Sequence, residues 1–409
     1  MSLLTGRNAI SVFLVFAFAY FLSALIRAIT ATLSPVLTLE FALHARDLGL
    51  LAGGYFLGFA ATQLPLGTWL DRHGPKRVIA GFLVVAVLGC VAFSIADTFA
   101  GLLAARVLCG VGVSACLMAP LTGYRRWFTP AIQMRSNSWM LMTGSLGAVA
   151  STLPVQWLVP LFGWRPLFLA LAGLLLVAIA LIAWRVPPWA GPEGGPATLE
   201  RGGYAQVWRH PYFRATAPLG FFCYGGLLAV QTLWAAPWMV NVAAYSPLKA
   251  ATGLFWINVA MLCTFWSWGL ANPWLARRGL HADRLMTWGL PLSFVLLAII
   301  IIVADRFSGS TGALLALYCM ACSFVTPSQP AVGMAFAPEA AGRALSAYNL
   351  VIFLGVFVIQ WGIGLTIDGL MSVGAPKVLA FQLAFAALLA CCIASYAYFR
   401  SATGHNRAP

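Results

Sequence analysis

The stretch GTWLDRHGPKRV, Gly67 to Val78, concentrates Asp71, Arg72, Lys76 and Arg77 in a few positions. Uncharged apolar runs flank it, LLAGGYFLGFAATQLPL before and IAGFLVVAVLGCVAF after. Only 8% of the whole chain is charged, so this clustering is not an effect of composition. A tight charged segment between two long apolar runs predicts a short loop that joins two membrane-spanning helices.

The composition extends this prediction to the whole chain. Of 409 residues, 61% are hydrophobic, and the mean hydropathy is +0.88. Soluble domains are about 45–50% apolar and about 25% charged, so this chain cannot bury its apolar surface within a soluble globule. We therefore expect a multi-pass protein whose partner is the lipid bilayer. The net charge of +14 is expected from loop arginines and lysines rather than from nucleic-acid binding.

Hydropathy predicts an all-α fold of twelve membrane-spanning helices, each near the roughly 20 residues that cross a bilayer core. A long segment rich in Pro and Gly divides the chain into residues 1–186 (six spans), 187–212 (a linker) and 213–409 (six spans). The predicted spans are 10–37, 47–70, 78–96, 100–124, 136–159, 165–186, 213–242, 250–276, 285–304, 311–336, 342–367 and 376–399.

The positive charges predict the orientation of these spans. Seventeen of the 24 Lys and Arg residues fall in the tails, the linker and the loops on the side of the N-terminus, and five fall on the opposite side. The remaining two, Arg27 and Arg106, lie within spans. Because positive loops stay inside, we expect both termini and the linker to be cytoplasmic. The membrane would be the cell membrane, the inner one if the source is bacterial, and we expect a monomer.

The two halves repeat one another at a spacing near 208 residues. ADTFAG at Ala96–Gly101 matches ADRFSG at Ala304–Gly309, and FTPAIQMRS around Arg135 matches FAPEAAGRA around Arg343. WLDRHG is matched more loosely by WLARRG, which lacks the aspartate. Each pair falls at the same place in its own half. A parallel repeat of six spans predicts a transporter with its binding site between the halves, near the midplane.

Two motifs then resemble the major facilitator superfamily. The opening stretch resembles that family's loop 2–3 signature, G-x-L-x-D-R-x-G-R-K/R, with Trp69 and Pro75 as departures. RVLCGVG, Arg106 to Gly112, resembles its span 4 motif, R-x-x-x-G-x-G. With the spans, the linker and the repeat, the resemblance covers the whole chain. It implies two pseudo-symmetric six-helix bundles and a role in transport.

The charged loop is expected to act as a latch. Asp71 ends span 2 and can face the positive end of a neighbouring helix and pair with an arginine, which would hold the inner ends of the helices together. The alternative is a basic loop that only fixes topology. Arg106 follows Asp97, so it forms either a structural ion pair there or, by resemblance, part of the coupling machinery. The candidate gating residues are Gly67, Asp71, Arg72, Gly74, Lys76, Arg77, Arg106, Arg135 and Arg343.

Arg27 gives span 1 a polar face, together with Tyr20, Ser23 and Thr30 at helical spacing. An arginine at depth costs about 2.5–3.5 kcal/mol, so it normally faces a cavity. A guanidinium there suits a carboxylate or a phosphate. The alternatives are snorkelling towards the interface and a structural bond to backbone carbonyls. By resemblance, an arginine at this place binds the anion in the organic-phosphate and anion:cation symporter branches.

The chain departs from those two branches, and the departures narrow the expected substrate. Ile26 stands where the anion:cation branch has an acidic residue, and span 7 lacks the second arginine of the phosphate exchangers. We therefore expect a monoanionic or amphoteric organic acid. Polar side chains of the second half would orient it, although the same residues also serve as hydrogen bonds between helices, and the tryptophan as an interfacial anchor. They are Tyr224, Gln231, Trp238, Gln329 and Asn349.

The functional hypotheses follow from these sites. We expect a secondary transporter of a small organic anion; a drug-type exporter of lipophilic compounds and a ligand sensor without flux are the alternatives. No catalytic set, cofactor or metal site is predicted, including at Cys319 and Cys322. None of the ten acidic residues lies mid-span. This pattern favours a uniporter, an exchanger, or a symporter that moves protons or another counter-ion through a group such as Glu40 or Asp368.

Overall fold

The computed structural model describes residues 4, 6–189, 203–304 and 309–404, and in these ranges the chain forms helices joined by short turns, without a strand. The α-helices are α1 Gly6–Phe41, α2 Ala45–Ala61, α3 Gln63–Ile95, α4 Phe99–Val113, α5 Ala115–Trp127, α6 Pro130–Ala150, α7 Leu153–Phe162, α8 Trp164–Arg185, α9 Tyr204–Arg209, α10 Pro211–Leu219, α11 Gly225–Ala229, α12 Ala235–Asn241, α13 Pro247–Arg277, α14 Ala282–Val303, α15 Thr311–Cys322, α16 Ser328–Met334, α17 Pro338–Ser372 and α18 Lys377–Gly404.

The helical membrane architecture predicted from hydropathy is confirmed. Ten helical runs among the described residues are long and apolar enough to span a bilayer, and α6 and α7, bent by 42° where they meet, form an eleventh. The predicted second span, 47–70, is present as α2 and the first turns of α3. The chain is a multi-pass membrane protein.

The boundary between the predicted spans 2 and 3 is shorter than expected. Both lie partly in α3, which is interrupted at Gly74 by a non-helical backbone with φ 75° and ψ 162°. Glycine tolerates this positive φ, and Pro75 directly after it suits the first turn of the helix that follows. A single residue thus separates two spans where the sequence had predicted a loop of several residues.

Small residues let α2 pack closely on two different neighbours. A Cβ on Gly58 would overlap the backbone of Val107 in α4, and a Cβ on Gly110 would overlap the backbone of Tyr55. A second face of α2, with Gly49 and Gly53, packs against α17 of the other half. Such close backbone approach is typical of membrane helix pairs with small residues at the interface.

The first helical run of the second half is irregular. Between α10 and α12, π-helical turns at Gly220–Tyr224 and Val230–Trp234 flank the short α11. π-bulges often occur at functional sites, because they rotate side chains away from ordinary helical positions. Two of the predicted binding residues, Tyr224 and Gln231, lie in these turns.

The bundle has two ends, and we name each by one of its acidic residues, Asp71 or Asp368. At the Asp71 end, the Arg185 Nη1 donates to the Ser11 Oγ at 3.1 Å, so the end of α8 meets the start of α1. At the opposite end, the Asp368 end, Arg165 pairs with both Glu40 and Asp97. The linker begins to leave the bundle at the Asp71 end, and its residues 190–202 lie outside the described part of the chain.

Candidate functional site

Arg27 of α1 lies where the two halves meet. Its guanidinium interacts with the hydroxyl of Tyr20 on the same helix, and it acts electrostatically on Tyr55 of α2 and on Tyr224 of the second half. The side chain is half-buried. The structure therefore brings together three of the residues predicted for substrate binding, Arg27, Tyr20 and Tyr224, and adds a fourth, Tyr55.

Arg27 has no acidic partner in the described ranges, where every ion pair within 4.0 Å joins other residues. A cation with aromatic neighbours and no carboxylate is suited to an anionic ligand, because planar guanidinium groups bind carboxylates through two parallel hydrogen bonds. Its neighbours come from both halves, as expected for a site between the repeats. An arginine that snorkelled into lipid would have no such neighbours.

The rest of the polar stripe on α1 is packed against other helices. Ser23 and Thr30 are both buried, and the Ser23 carbonyl accepts a hydrogen bond from the Tyr55 hydroxyl at 3.4 Å. Tyr20 lies against Gly144 of α6, where a Cβ would come within 2.5 Å of its ring. The packing therefore holds Tyr20 and Tyr55 in fixed positions beside Arg27.

Arg106 does not form the ion pair with Asp97 that the sequence suggested. Asp97 lies at the Asp368 end, 86% exposed, and pairs with Arg165 at 3.2 Å. Arg106 is fully buried two turns along α4, and its Nη1 donates to the carbonyl of Ile26 at 3.0 Å. The ion-pair alternative is wrong, because Asp97 precedes α4 at the surface whereas Arg106 lies two turns inside that helix.

Two arginines therefore act on one phenol. The Arg106 guanidinium lies 5.1 Å from the centre of the Tyr55 ring, and Arg27 also acts on Tyr55. The Nε and Nη2 atoms of Arg106 are buried without a hydrogen-bond partner among the described residues. Buried charges are costly unless compensated, so these two nitrogen atoms are suited to an anionic or hydrogen-bond-accepting partner.

In the second half, the predicted polar residues pair with one another across helices. The Gln329 Nε2 donates to the Asn349 Oδ1 at 2.5 Å, which joins α16 to α17. The Gln231 Nε2 donates to the Oδ1 of Asn258 in α13 at 3.0 Å. Gln231 and Gln329 are half-buried, whereas Asn349 is buried. These pairs fit the interhelical alternative, and the two half-buried amides remain partly exposed.

The tryptophans divide into two groups. Trp238 is fully buried and packs on Phe385 of α18 at 4.4 Å between ring centres, and Trp234 is fully buried as well. Neither is an interfacial anchor. Trp256 is 60% exposed, in keeping with a position at the protein surface.

Sequence reasoning missed Tyr55, Asn258 and Gln360. Gln360 is fully buried in α17, and its Nε2 donates to the Thr232 Oγ1 at 3.0 Å. The main-chain carbonyl of Gln360 accepts a hydrogen bond from the Trp234 Nε1 at 3.0 Å. This bond joins α17 to the irregular helical run of the second half. A lone amide within the run VIFLGVFVIQWGIGL was the available signal. Tyr55 gave none, because its neighbours in sequence are apolar.

The predicted gating residues with charged side chains at the Asp71 end are mostly exposed. Asp71, Arg72 and Arg77 are exposed, and Lys76 is half-buried. Arg125 of α5 is the charged group that acts on Asp71, and no described residue forms an ion pair with that carboxylate within 4.0 Å. Gly67 borders open space, since a Cβ there would meet no atom within 4 Å.

Two linker residues pack on this end. The ring of Trp189 covers Gly74, where a Cβ would overlap it, and Arg126 stacks over that ring at 4.7 Å. The Tyr204 hydroxyl donates to the Leu64 carbonyl at 3.0 Å. Burial raises the pKa of Tyr204, and the positive charge of the predicted gating residue Arg343 acts against that rise. The linker thus contacts both halves.

Arg135, the counterpart of Arg343 in the first half, is exposed near the start of α6. The described residues give it no ion pair. The repeat predicted from sequence therefore places its two arginines in different surroundings, since Arg343, of these two, acts on the described linker residue Tyr204.

The profile of the Major Facilitator Superfamily matches residues 16–360. The chain belongs to this superfamily. Its family and fold are those of membrane transporters. The two motifs from which the sequence predicted the family, at Asp71 and at Arg106, both fall within the matched range.

Several transporters are similar to part of the chain. The 4-hydroxybenzoate transporter PcaK of Pseudomonas aeruginosa is 28% identical over 41% of the chain and 37% of its own length. The niacin transporter NiaP of Acinetobacter baylyi is 26% identical over 48% and 44%. A chloramphenicol resistance protein of Pseudomonas aeruginosa is 33% identical over 33% and 32%. The chain thus matches less than half the length of each of these relatives.

Solved structures match almost the whole chain. A bacterial homologue of the human lysosomal transporter Spinster, inward-facing and unoccupied, gives a TM-score of 0.76 at 17% identity and covers 97% of both chains. A D-xylose–proton symporter gives 0.71 at 15% identity, over 93% of this chain and 96% of its own. At these identities the likeness establishes the shared fold.

Proposed function

We propose that the protein is a secondary transporter that moves a small aromatic or heteroaromatic monocarboxylate across the cell membrane by alternating access. The observation that carries this proposal is Arg27, a half-buried guanidinium between the two halves without an acidic partner in the described part of the chain. The transported monocarboxylate would bind through its carboxylate and be released chemically unchanged, so the proposed transport requires no cofactor.

The surroundings of Arg27 support an aromatic acid over an aliphatic one. Arg27 acts on Tyr20, Tyr55 and Tyr224, and aromatic rings pack favourably on one another at offset or edge-on angles. The half-buried amides Gln231 and Gln329 could meet a ring substituent. Among the relatives, the named substrates 4-hydroxybenzoate and niacin are of this class.

We place the Asp71 end in the cytoplasm, with both termini. Support comes from the arginine and lysine distribution, since positive loops remain inside. In this orientation the charged loop at Asp71 would close the inner side when the cargo enters from outside. A monomer contains both halves, so no second copy is required. Protons or a counter-ion would have to use a group outside the mid-membrane region.

Export of lipophilic compounds is the second candidate, because resistance proteins are also among the relatives. One confers chloramphenicol resistance, and another, from Salmonella typhimurium, methyl viologen resistance. Two arginines around Tyr55 would repel an organic cation such as methyl viologen. A neutral compound would be repelled less. The charge of the ligand therefore distinguishes the two candidates.

The test is a thermal-shift screen of purified protein against 4-hydroxybenzoate, nicotinate, benzamide, chloramphenicol and methyl viologen. A bound ligand raises the melting temperature by mass action, so the carboxylates should stabilise the protein and the neutral benzamide should not. Uptake of radiolabelled carboxylate into proteoliposomes then measures transport. Arg27→Met should abolish both responses, since it removes the charge and keeps the volume.

Arg284→Met is the matched control, since Arg284 is exposed and donates to the Gly279 carbonyl away from Arg27. It should bind and transport like the parent protein. Carboxylate binding that survives Arg27→Met would overturn the assignment of Arg27. Stabilisation by chloramphenicol without any response to the acids would favour the exporter.

A further inference from the structure

The first turn of α2 is bound by a carboxylate from the other half of the chain. Asp368, near the end of α17, accepts a hydrogen bond from the Ala45 N–H through Oδ1 at 3.1 Å. It accepts a second from the Arg46 N–H through Oδ2 at 2.9 Å. The first N–H groups of a helix have no partner within the helix itself, so Asp368 satisfies two of them.

This arrangement is a helix N-cap supplied from another helix. Local residues normally cap a helix, and the residue before α2 is His44, whose own N–H donates to the side chain of Asp47. A carboxylate at the positive end of a helix gains from the helix dipole and from charge-assisted hydrogen bonds. Asp368 supplies that charge across 323 positions of the chain.

The Arg46 side chain contributes less than its backbone. Its Nε lies 4.0 Å from the Asp368 Oδ2 and 3.7 Å from the Asp47 Oδ1, and the side chain is 56% exposed. Exposed ion pairs at such distances are worth little. The polar part of this contact therefore consists mainly of two backbone donors and one carboxylate.

Close helix packing holds Asp368 in place. A Cβ on Gly364 of α17 would overlap the Ala45 carbonyl, and one on Gly49 of α2 would overlap the Gln360 carbonyl. One turn further, a Cβ on Gly53 would come within 3.0 Å of the Phe357 ring. The two backbones thus touch along the helices, and the cap can form only while they do.

We propose that Asp368 is a latch that closes the Asp368 end of the bundle. It caps α2 while the two halves are in contact there, and the cap is lost when this end opens. The latch rests on the proposed transport cycle, but its test needs no substrate. It can therefore fail while the anion proposal stands, and the anion proposal can fail while the latch stands.

The experiment measures how often this end opens. A cysteine placed at Gln360, fully buried beneath the latch, is exposed to a bulky polar maleimide in purified protein whose nine native cysteines are replaced by serine. Asp368→Asn should raise the labelling rate about tenfold, which corresponds to about 1.4 kcal/mol in the closing equilibrium. Ala45→Pro removes one donor and keeps the charge, and proline suits a first helical position. It should raise the rate about threefold.

Two control variants separate the cap from ordinary charge effects. Asp97→Asn removes a charge at the same end that pairs within the first half, and Arg46→Ala removes the side chain but keeps its N–H. Both should label like the parent. The latch is overturned if Asp368→Asn and Ala45→Pro both label at the parental rate, or if Arg46→Ala matches Asp368→Asn. If Asp368→Asn does not fold, the rate of Ala45→Pro alone decides.

Discussion

Each end of the bundle has a carboxylate at the end of a membrane span, but the two carboxylates have different surroundings. At the Asp368 end, a carboxylate bonds two backbone N–H groups of the other half, and glycines bring the backbones of α2 and α17 together. At the Asp71 end, the carboxylate is exposed, and no described residue pairs with it within 4.0 Å. One end is held closed and the other is not.

This difference indicates how a fold with two pseudo-symmetric halves can have two stable states. We propose that each carboxylate stabilises only the state in which its own end is closed. A ligand or mutation shifts the balance by its differential effect on the two states. The variants below therefore act in opposite directions at the two ends.

The largest effect is expected from steric substitution on α2. Gly49→Leu places a side chain against the Gln360 carbonyl and should destabilise this state by about 1–3 kcal/mol, as overpacking does. Gly67→Leu, on the same span at the Asp71 end, borders open space and should change stability by less than about 0.5 kcal/mol. Thermal unfolding of both variants measures the difference, and equal destabilisation would refute the asymmetry.

A smaller effect is expected from Asp71→Asn. Because Asp71 has no ion-pair partner in this state, the melting temperature of the variant should equal that of the parent protein. Transport should slow about tenfold, because the Asp71 end closes less firmly. Carboxylate affinity should stay the same. Combining it with Asp368→Asn weakens both closed states, so labelling at position 360 should return towards the parental rate. A double variant that labels as fast as Asp368→Asn alone would show that the two ends open independently.

The smallest effect is expected from Tyr204→Phe. It removes the hydrogen bond from the linker to the Leu64 carbonyl, worth about 1 kcal/mol, and leaves the ring in place. Because this bond joins the linker to the Asp71 end, we expect a loss of a few degrees in melting temperature and little change in transport. Denaturant unfolding would reveal the stability change. A loss of transport would mean that the linker controls the cycle.

Sequence alone predicted the fold because hydropathy, the repeat and the two motifs can each be recognised without knowing which segments meet in space. It also predicted that Arg27 and Tyr224 lie near one another, because spans 1 and 7 both line the central cavity in the superfamily that the chain resembles. The pairing of Asp97 with Arg165 could not be predicted in the same way. It depends on which side of a helix faces its neighbour, and apolar runs carry no periodic signal for that.

The role of Asp368 could not be predicted from the sequence for a related reason. A carboxylate at the end of a span indicates only a group near the surface. Asp368 can cap α2 because Gly364 and Gly49 let the backbones of α17 and α2 approach closely. Close packing between distant segments is a property of the folded chain.

We expect the two ends of the bundle to open and close in opposition around a bound anion. Distances between spin labels test it directly, with one pair at Leu39 and Val373 and the other at Trp184 and Met334, all strongly exposed. When carboxylate is added or Asp368 is changed to Asn, we predict that one pair separates while the other approaches. If both pairs move apart together, or neither moves, the two ends do not open in opposition.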